Sequence, residues 1–183
     1  PVTTDTRFAV RLATLAGVAL ILFVFEALAP RILPWMKLGL GNLVTLLVLV
    51  LYGFPAALGV ATIKVLVGGL VTGTFAGPAF VIGGAAGLLS LTAMGLVRRL
   101  APEALSLIGL SILGAVCHQL IQLLIAWLYL GVPGLSSFLP LFLGWGLVSG
   151  LLVGMLVYFV ARRLGKLGVL DSGPSRAPPP GRD

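Results

Sequence analysis

The sequence predicts an all-α, polytopic membrane protein with six transmembrane helices, and three observations predict it. Hydrophobic residues fill 59% of its 183 positions and charged residues 9%, with a mean hydropathy of +1.17, a balance foreign to soluble domains. The apolar residues fall into six runs, most of them near the roughly 20 residues that a helix needs to cross a bilayer. Gly and Pro punctuate the joints between runs. Very little sequence is left for a catalytic domain outside the membrane.

The first span is read over Phe8–Leu28. Its basic start and its Ala27-Leu28-Ala29 end resemble a cleavable signal peptide, but Pro30 directly after that site disfavours cleavage, and the segment is kept as a helix. The second span, Leu38–Tyr52, is short and turns tightly through Gly53 and Phe54 into the third, Pro55–Phe75. The remaining spans are Ala79–Val97, Leu105–Leu130 and Phe138–Val160. Residues 1–164 thus form the membrane domain. The tail over 165–183, with its Ala177-Pro178-Pro179-Pro180-Gly181 run, has the composition of a disordered segment.

Charge orients the bundle. The chain carries 12 Lys and Arg against 5 Asp and Glu, with an isoelectric point near 10.6, but the cations sit at span ends instead of forming one basic soluble face. Nucleic acid is therefore not an expected partner. Arg7, Arg11, Arg98, Arg99, Arg162, Arg163 and Lys166 fall on one side, with Arg31 and Lys37 opposite, which places both termini in the cytoplasm by the positive-inside rule. Cys117 is the single cysteine, so neither a disulfide framework nor a multi-cysteine metal site is available.

That topology gives each polar residue a depth. Lys64 lies mid-membrane in the third span, where an ionisable group costs about 2.5–3.5 kcal/mol on insertion scales and marks a functional site by default. His118 is near the centre of the fifth span, with Gln122 one turn outward on the same face and Gln119 beside them. Glu26, Arg31, Lys37 and Asn42 all face the outer half, as do Thr72 and Thr74. Donors from several helices converging in dry surroundings predict an outward-opening pocket for a small molecule. Structural alternatives stand beside each assignment. Lys64 pairs with Glu26 or with backbone carbonyls; His118 and Gln122 join two helices; Asn42 caps or bends its helix. Arg31 and Lys37, with Trp35, anchor a loop at the headgroups. Glu26 is either the counter-ion of Lys64 or the cap of a cation.

Small residues carry a second signal. Ala9-Val10-Arg11-Leu12-Ala13 continues as Ala13-Thr14-Leu15-Ala16-Gly17, a ridge along which another helix can approach closely, in this chain or in a partner. Gly69-Leu70-Val71-Thr72-Gly73 and Gly146-Leu147-Val148-Ser149-Gly150 occur in the third and sixth spans, a spacing that suits an inverted three-helix repeat.

Three segments occur in order: Lys37-Leu38-Gly39-Leu40-Gly41-Asn42, Gly73-Thr74-Phe75-Ala76-Gly77-Pro78-Ala79-Phe80, and Gly114-Ala115-Val116-Cys117-His118-Gln119-Leu120-Ile121-Gln122. Together they resemble the Gx transporter family, also labelled heptaprenyl diphosphate synthase component I, over roughly residues 12–163. In size and topology that family is similar to the substrate-binding S components of energy-coupling factor transporters of bacterial cytoplasmic membranes. The resemblance implies a six-helix protein that binds a micronutrient near the outer face. It also implies a transmembrane coupling subunit and two ATPases in separate chains, with an Ala-x-x-x-Ala surface on the first helix for the coupling subunit. Ala9 and Ala13, extended by Gly17, match that surface. Lys64 stands where arginine is commoner in the family, and Gln119 where asparagine is frequent; a lysine keeps the charge and loses the bidentate fork.

The enzyme label meets a chemical obstacle. Chain-elongating prenyl diphosphate synthases hold magnesium with clustered aspartates, whereas the acids here are Asp5, Glu26, Glu103, Asp171 and Asp183, no two of them clustered. No serine–histidine–aspartate arrangement, phosphate-binding loop or paired metal-ligand motif is present in the sequence. The expectation is a noncatalytic, cofactor-free and metal-free subunit that captures a small anionic or amphiphilic molecule. The alternatives are a noncatalytic accessory subunit of an isoprenoid or quinone pathway enzyme, or a component of a membrane redox system.

Overall fold

The computed structural model describes residues 4–29, 38–131 and 134–166. Arg31, Trp35, Lys37 and the tail beyond Lys166 lie outside the described residues. Among the described residues six α-helices are formed: α1 Thr4–Leu28, α2 Leu40–Tyr52, α3 Phe54–Val71, α4 Pro78–Leu100, α5 Leu107–Leu130 and α6 Leu139–Lys166, the last entered through a 3-10 turn at Leu135–Phe138. All except α2 are long and apolar enough to cross a membrane.

At 13 residues, α2 rises only about 20 Å, short of a ~30 Å hydrocarbon core. It does not have to span alone, because it is the central helix, packed against α1, α3, α4 and α6. Val44 to Leu49 are buried without interruption, the all-round apolar pattern of an enclosed helix. Gly53, at φ 85°, reverses the chain directly into α3, the tight connection that the sequence predicts. Pro55 follows in the first turn of α3, where its missing N–H costs no bond.

The third helix ends at Val71, not at Phe75 as expected. The Thr72 hydroxyl donates to Gly68 O at 2.7 Å, and Gly73 adopts φ 66°, a left-handed turn that stops a helix. The N–H groups of Thr74 and Phe75 then fold back onto Gly69 O. The sixth helix is longer than expected, reaching Lys166 and so crossing the 164/165 boundary. Gly146, Gly150 and Gly154 lie on successive turns of α6 against α5; a methyl group at Gly150 would stand 2.7 Å from Ile112 Cα. The Gly69 segment is not equivalent to this one. Gly69 packs against Phe80 and Gly73 lies beyond its helix, so the two matching pentapeptides occupy unlike places.

One end of the bundle is basic. Arg98 Nη2 donates to Val50 O at 2.9 Å, fastening the end of α4 to the end of α2; Phe8 meets Tyr52 edge-on there, and Arg163 and Lys166 close α6. The main core fills this half, with Ala16 and Ala19 of α1, Val48 and Leu49 of α2, Ala57 and Val60 of α3, Leu91 of α4, Leu110 of α5 and Val157 of α6. The opposite half has a smaller cluster of Ile82, Leu123, Ala126, Leu135 and Phe142. Between the α1–α3 and α4–α6 groups that half is hollow.

Candidate functional site

The hollow is a cavity of about 350 Å³, within the range of small-molecule sites and near its lower end. Leu28, Leu38, Val71, Thr72 and Thr74 form its mouth, at the end away from Arg98 and Lys166. Leu46, Met94 and Val153 line its depth and also belong to the main core, so the cavity ends on packed side chains.

Lys64 is 4% exposed and lines this space. Its Nζ donates to Asn42 Oδ1 at 2.8 Å, to Gly41 O at 3.3 Å and to Thr45 Oγ1 at 3.4 Å. All three acceptors are on α2, so the lysine ties α3 to the central helix. The absence of a side chain at Gly41 makes this possible: a methyl group there would stand 3.4 Å from Lys64 Cδ and 3.3 Å from Phe23 Cβ. Asn42 is therefore a partner of Lys64 on the cavity wall. Thr45, the third acceptor, did not enter the sequence-based list.

Glu26 is buried, and its Oε1 accepts the N–H of Gly39, at the start of α2. A carboxylate there satisfies an end group of the helix and faces the positive end of its dipole. This geometry gives Glu26 a backbone N–H as its partner, where the sequence offered Lys64 or a bound cation. Glu26 also lines the cavity.

From α5, His118 Nε2 and Gln122 Oε1 are 3.1 Å apart, one turn along a single helix. This bond does not join two helices, as one sequence-based alternative had it. Gln119 and Gln122 are each 4% exposed. The stem of Gln119 packs against Gly146 of α6, and the His118 ring faces Gly87 of α4. Of the eight predicted pocket residues, Lys64, Asn42, Glu26, His118, Gln119 and Gln122 all line the cavity; Arg31 and Lys37 lie outside the described residues.

Sequence reasoning passed over the wall made by α4. Gly83, Gly87, Ser90 and Met94 line the cavity at helical spacing, and Gly87 leaves bare backbone facing His118. Ser111 and Ser149 add hydroxyls from α5 and α6. A stripe of small residues with a 3.6 period was the available signal.

The predicted docking ridge turns away from all of this. Ala9 and Ala13 are exposed, and a methyl group at Gly17 would meet nothing within 4 Å. Ordinary packing inside the described chain does not use the ridge.

These features define a polytopic helical membrane protein with a mostly apolar cavity, carrying a few buried polar groups and ending on the core, between two groups of three helices. The family model for heptaprenyl diphosphate synthase component I matches residues 15–160, and the chain belongs to that family, the one also labelled Gx transporter. No curated protein and no solved structure matches the chain.

Proposed function

We propose that the protein is the substrate-binding membrane subunit of a micronutrient uptake system in a bacterial cytoplasmic membrane, similar to the S components of energy-coupling factor transporters. The observation that carries this reading is the convergence of Lys64, Asn42, His118, Gln119 and Gln122 from three helices on one cavity that ends on the core. A blind cavity suits capture better than conduction. With the basic end in the cytoplasm, the mouth faces outside, and a small anionic or amphiphilic molecule enters with its acidic or carbonyl group toward Lys64. Nothing in the residues of the site calls for catalysis, and the subunit is read as noncatalytic. Energy then comes from separate chains, a transmembrane coupling subunit and its ATPases, with α1 as the docking helix.

Native mass spectrometry of the full chain, purified in mild detergent, tests this. A defined small molecule is expected to remain with the wild type and to be lost from Lys64→Met, a variant that keeps the apolar stem and removes the charge. Equal retention by both would remove Lys64 from the site. A second reading draws on the family description: a noncatalytic accessory subunit of an isoprenoid or quinone pathway enzyme. It predicts an empty cavity and copurification with a soluble prenyltransferase.

A further inference from the structure

Below the level of Lys64, the cavity has a second polar region that the capture reading does not use. On α4, Gly84 stands against Val65, next to Lys64, and Gly87 faces His118. Ser90 lies six residues beyond Gly84, about 9 Å of helix rise. On α6, Ser149 sits between Gly146, which meets Gln119, and Gly150, which meets Ala115. Gly114 in turn meets Met94, one turn beyond Ser90. Ser90 and Ser149 therefore approach one level near Ala115, and Ser111 follows one turn deeper. All three serines are 3–5% exposed and line the cavity.

Two of these hydroxyls direct their protons at their own helices. Ser90 Oγ donates to Gly87 O at 3.0 Å and Ser149 Oγ donates to Gly146 O at 3.4 Å. A hydroxyl has one proton and two lone pairs, so what these serines retain for a bound molecule is acceptor capacity. Gln119 also lines this part of the cavity, but its Oε1 is enclosed in the wall without a hydrogen-bond partner and does not open on the space. The upper end is of opposite character, since the Lys64 ammonium is a cation that carries donors alone, shared there with Gly41 O, Asn42 Oδ1 and Thr45 Oγ1.

We propose that the cavity is a two-ended site. Lys64 takes an anionic or carbonyl group at the upper end, and Ser90 and Ser149 take a neutral hydrogen-bond donor, a hydroxyl or an N–H, at the floor. This rests on the reading of the cavity as a substrate site and deepens it by naming the chemistry of both ends.

Octanoate and ω-hydroxyoctanoate are suitable probes, since both carry the anion and only one carries a distal donor at a comparable separation. Native mass spectrometry of the full chain with an equimolar mixture reads their relative affinity directly. The ω-hydroxy adduct is expected to exceed the octanoate adduct by about five- to tenfold, the worth of one hydrogen bond. In the double variant Ser90→Ala/Ser149→Ala that preference is expected to fall to near one, with octanoate binding retained. Equal wild-type adducts that both vanish in Lys64→Met would overturn the two-ended site and leave the capture reading standing. Adducts indifferent to Lys64→Met would overturn both. No adduct of either acid would overturn the two-ended site, leaving the capture reading to be judged by the molecule that copurifies with the chain.

Discussion

Lys64 has two duties that a single substitution does not separate. It lines the cavity, and it donates to Gly41 O, Asn42 Oδ1 and Thr45 Oγ1, of which Gly41 O also accepts the Thr45 hydroxyl. Lys64→Met is therefore expected to lower stability by about 1–3 kcal/mol, the scale of removing the donor from Asn42 Oδ1 and Thr45 Oγ1, as well as to weaken binding. Reversible unfolding in detergent checks the first effect. Asn42→Ala, which keeps the ammonium and two of its acceptors, should cost less. Glu26→Ala removes the group that meets the Gly39 N–H, and a loss of about 0.5–2 kcal/mol in the same assay is the scale of a lost helix cap. The sequence made these residues legible because a charge or amide in an apolar run is conspicuous. It did not show which atoms they touch. Glu26 and Lys64 have opposite charges and compatible depths, yet the carboxylate meets a backbone N–H, a partner that no side-chain pattern records. Thr45, Ser90, Ser111 and Ser149 stayed hidden for the converse reason, since hydroxyls bond readily to their own helices and so leave no charge-like mark.

At the scale of elements, all six helices were visible in the sequence, through length, apolarity and punctuation. Their ends were less so, because hydropathy carries no information about cap geometry. Thr74 and Phe75 are as compatible with a span as Val71, but the left-handed Gly73 and the Thr72 hydroxyl end α3 before them. The short α2 was visible, while its central position was not, since centrality is a property of neighbours. Glycine spacing was only half informative. Gly146 and Gly150 mark the close packing of α6 on α5, whereas Gly69 and Gly73 mark a ring contact and a turn. The α5–α6 packing yields a paired prediction. Gly150→Ala places a methyl group 2.7 Å from Ile112 Cα, and because backbone must move to admit it, a loss of about 1–3 kcal/mol is expected. Gly144→Ala on the same helix meets nothing within 4 Å and should stay within about 0.5 kcal/mol of the wild type. Because alanine is the better helix former, propensity cannot account for a loss at either position, and comparable losses in the two variants would mean that the α5–α6 contact does not set the cost.

The whole molecule divides its surfaces by task. Apolar contact within the chain fills the basic half, a cavity with a few buried polar groups occupies the other, and the small ridge of α1 is left facing outward. Lipid alone does not need such a ridge, because Leu and Phe face acyl chains as well as Ala and Gly do, and α1 presents Ile21 and Phe25 to its surroundings farther along. A ridge of small residues lowers the separation at which a second helix can pack, and in a membrane that close packing is what drives helices together. If a coupling subunit docks on α1, enlarging the ridge blocks the approach without touching the cavity. Ala13→Leu is therefore expected to leave the bound small molecule in place by native mass spectrometry, because Ala13 is exposed and does not line the cavity. Uptake in cells that depend on the assembled transporter should fall by an order of magnitude or more, on the order of 1.4 kcal/mol of lost docking energy per tenfold. Leu12→Ala on the same turn, packed inward against the core, is the control: it should lower the melting temperature and leave docking intact in the folded fraction. Undiminished uptake by a normally expressed Ala13→Leu would take α1 out of the docking surface and leave the cavity as the support for a transport role.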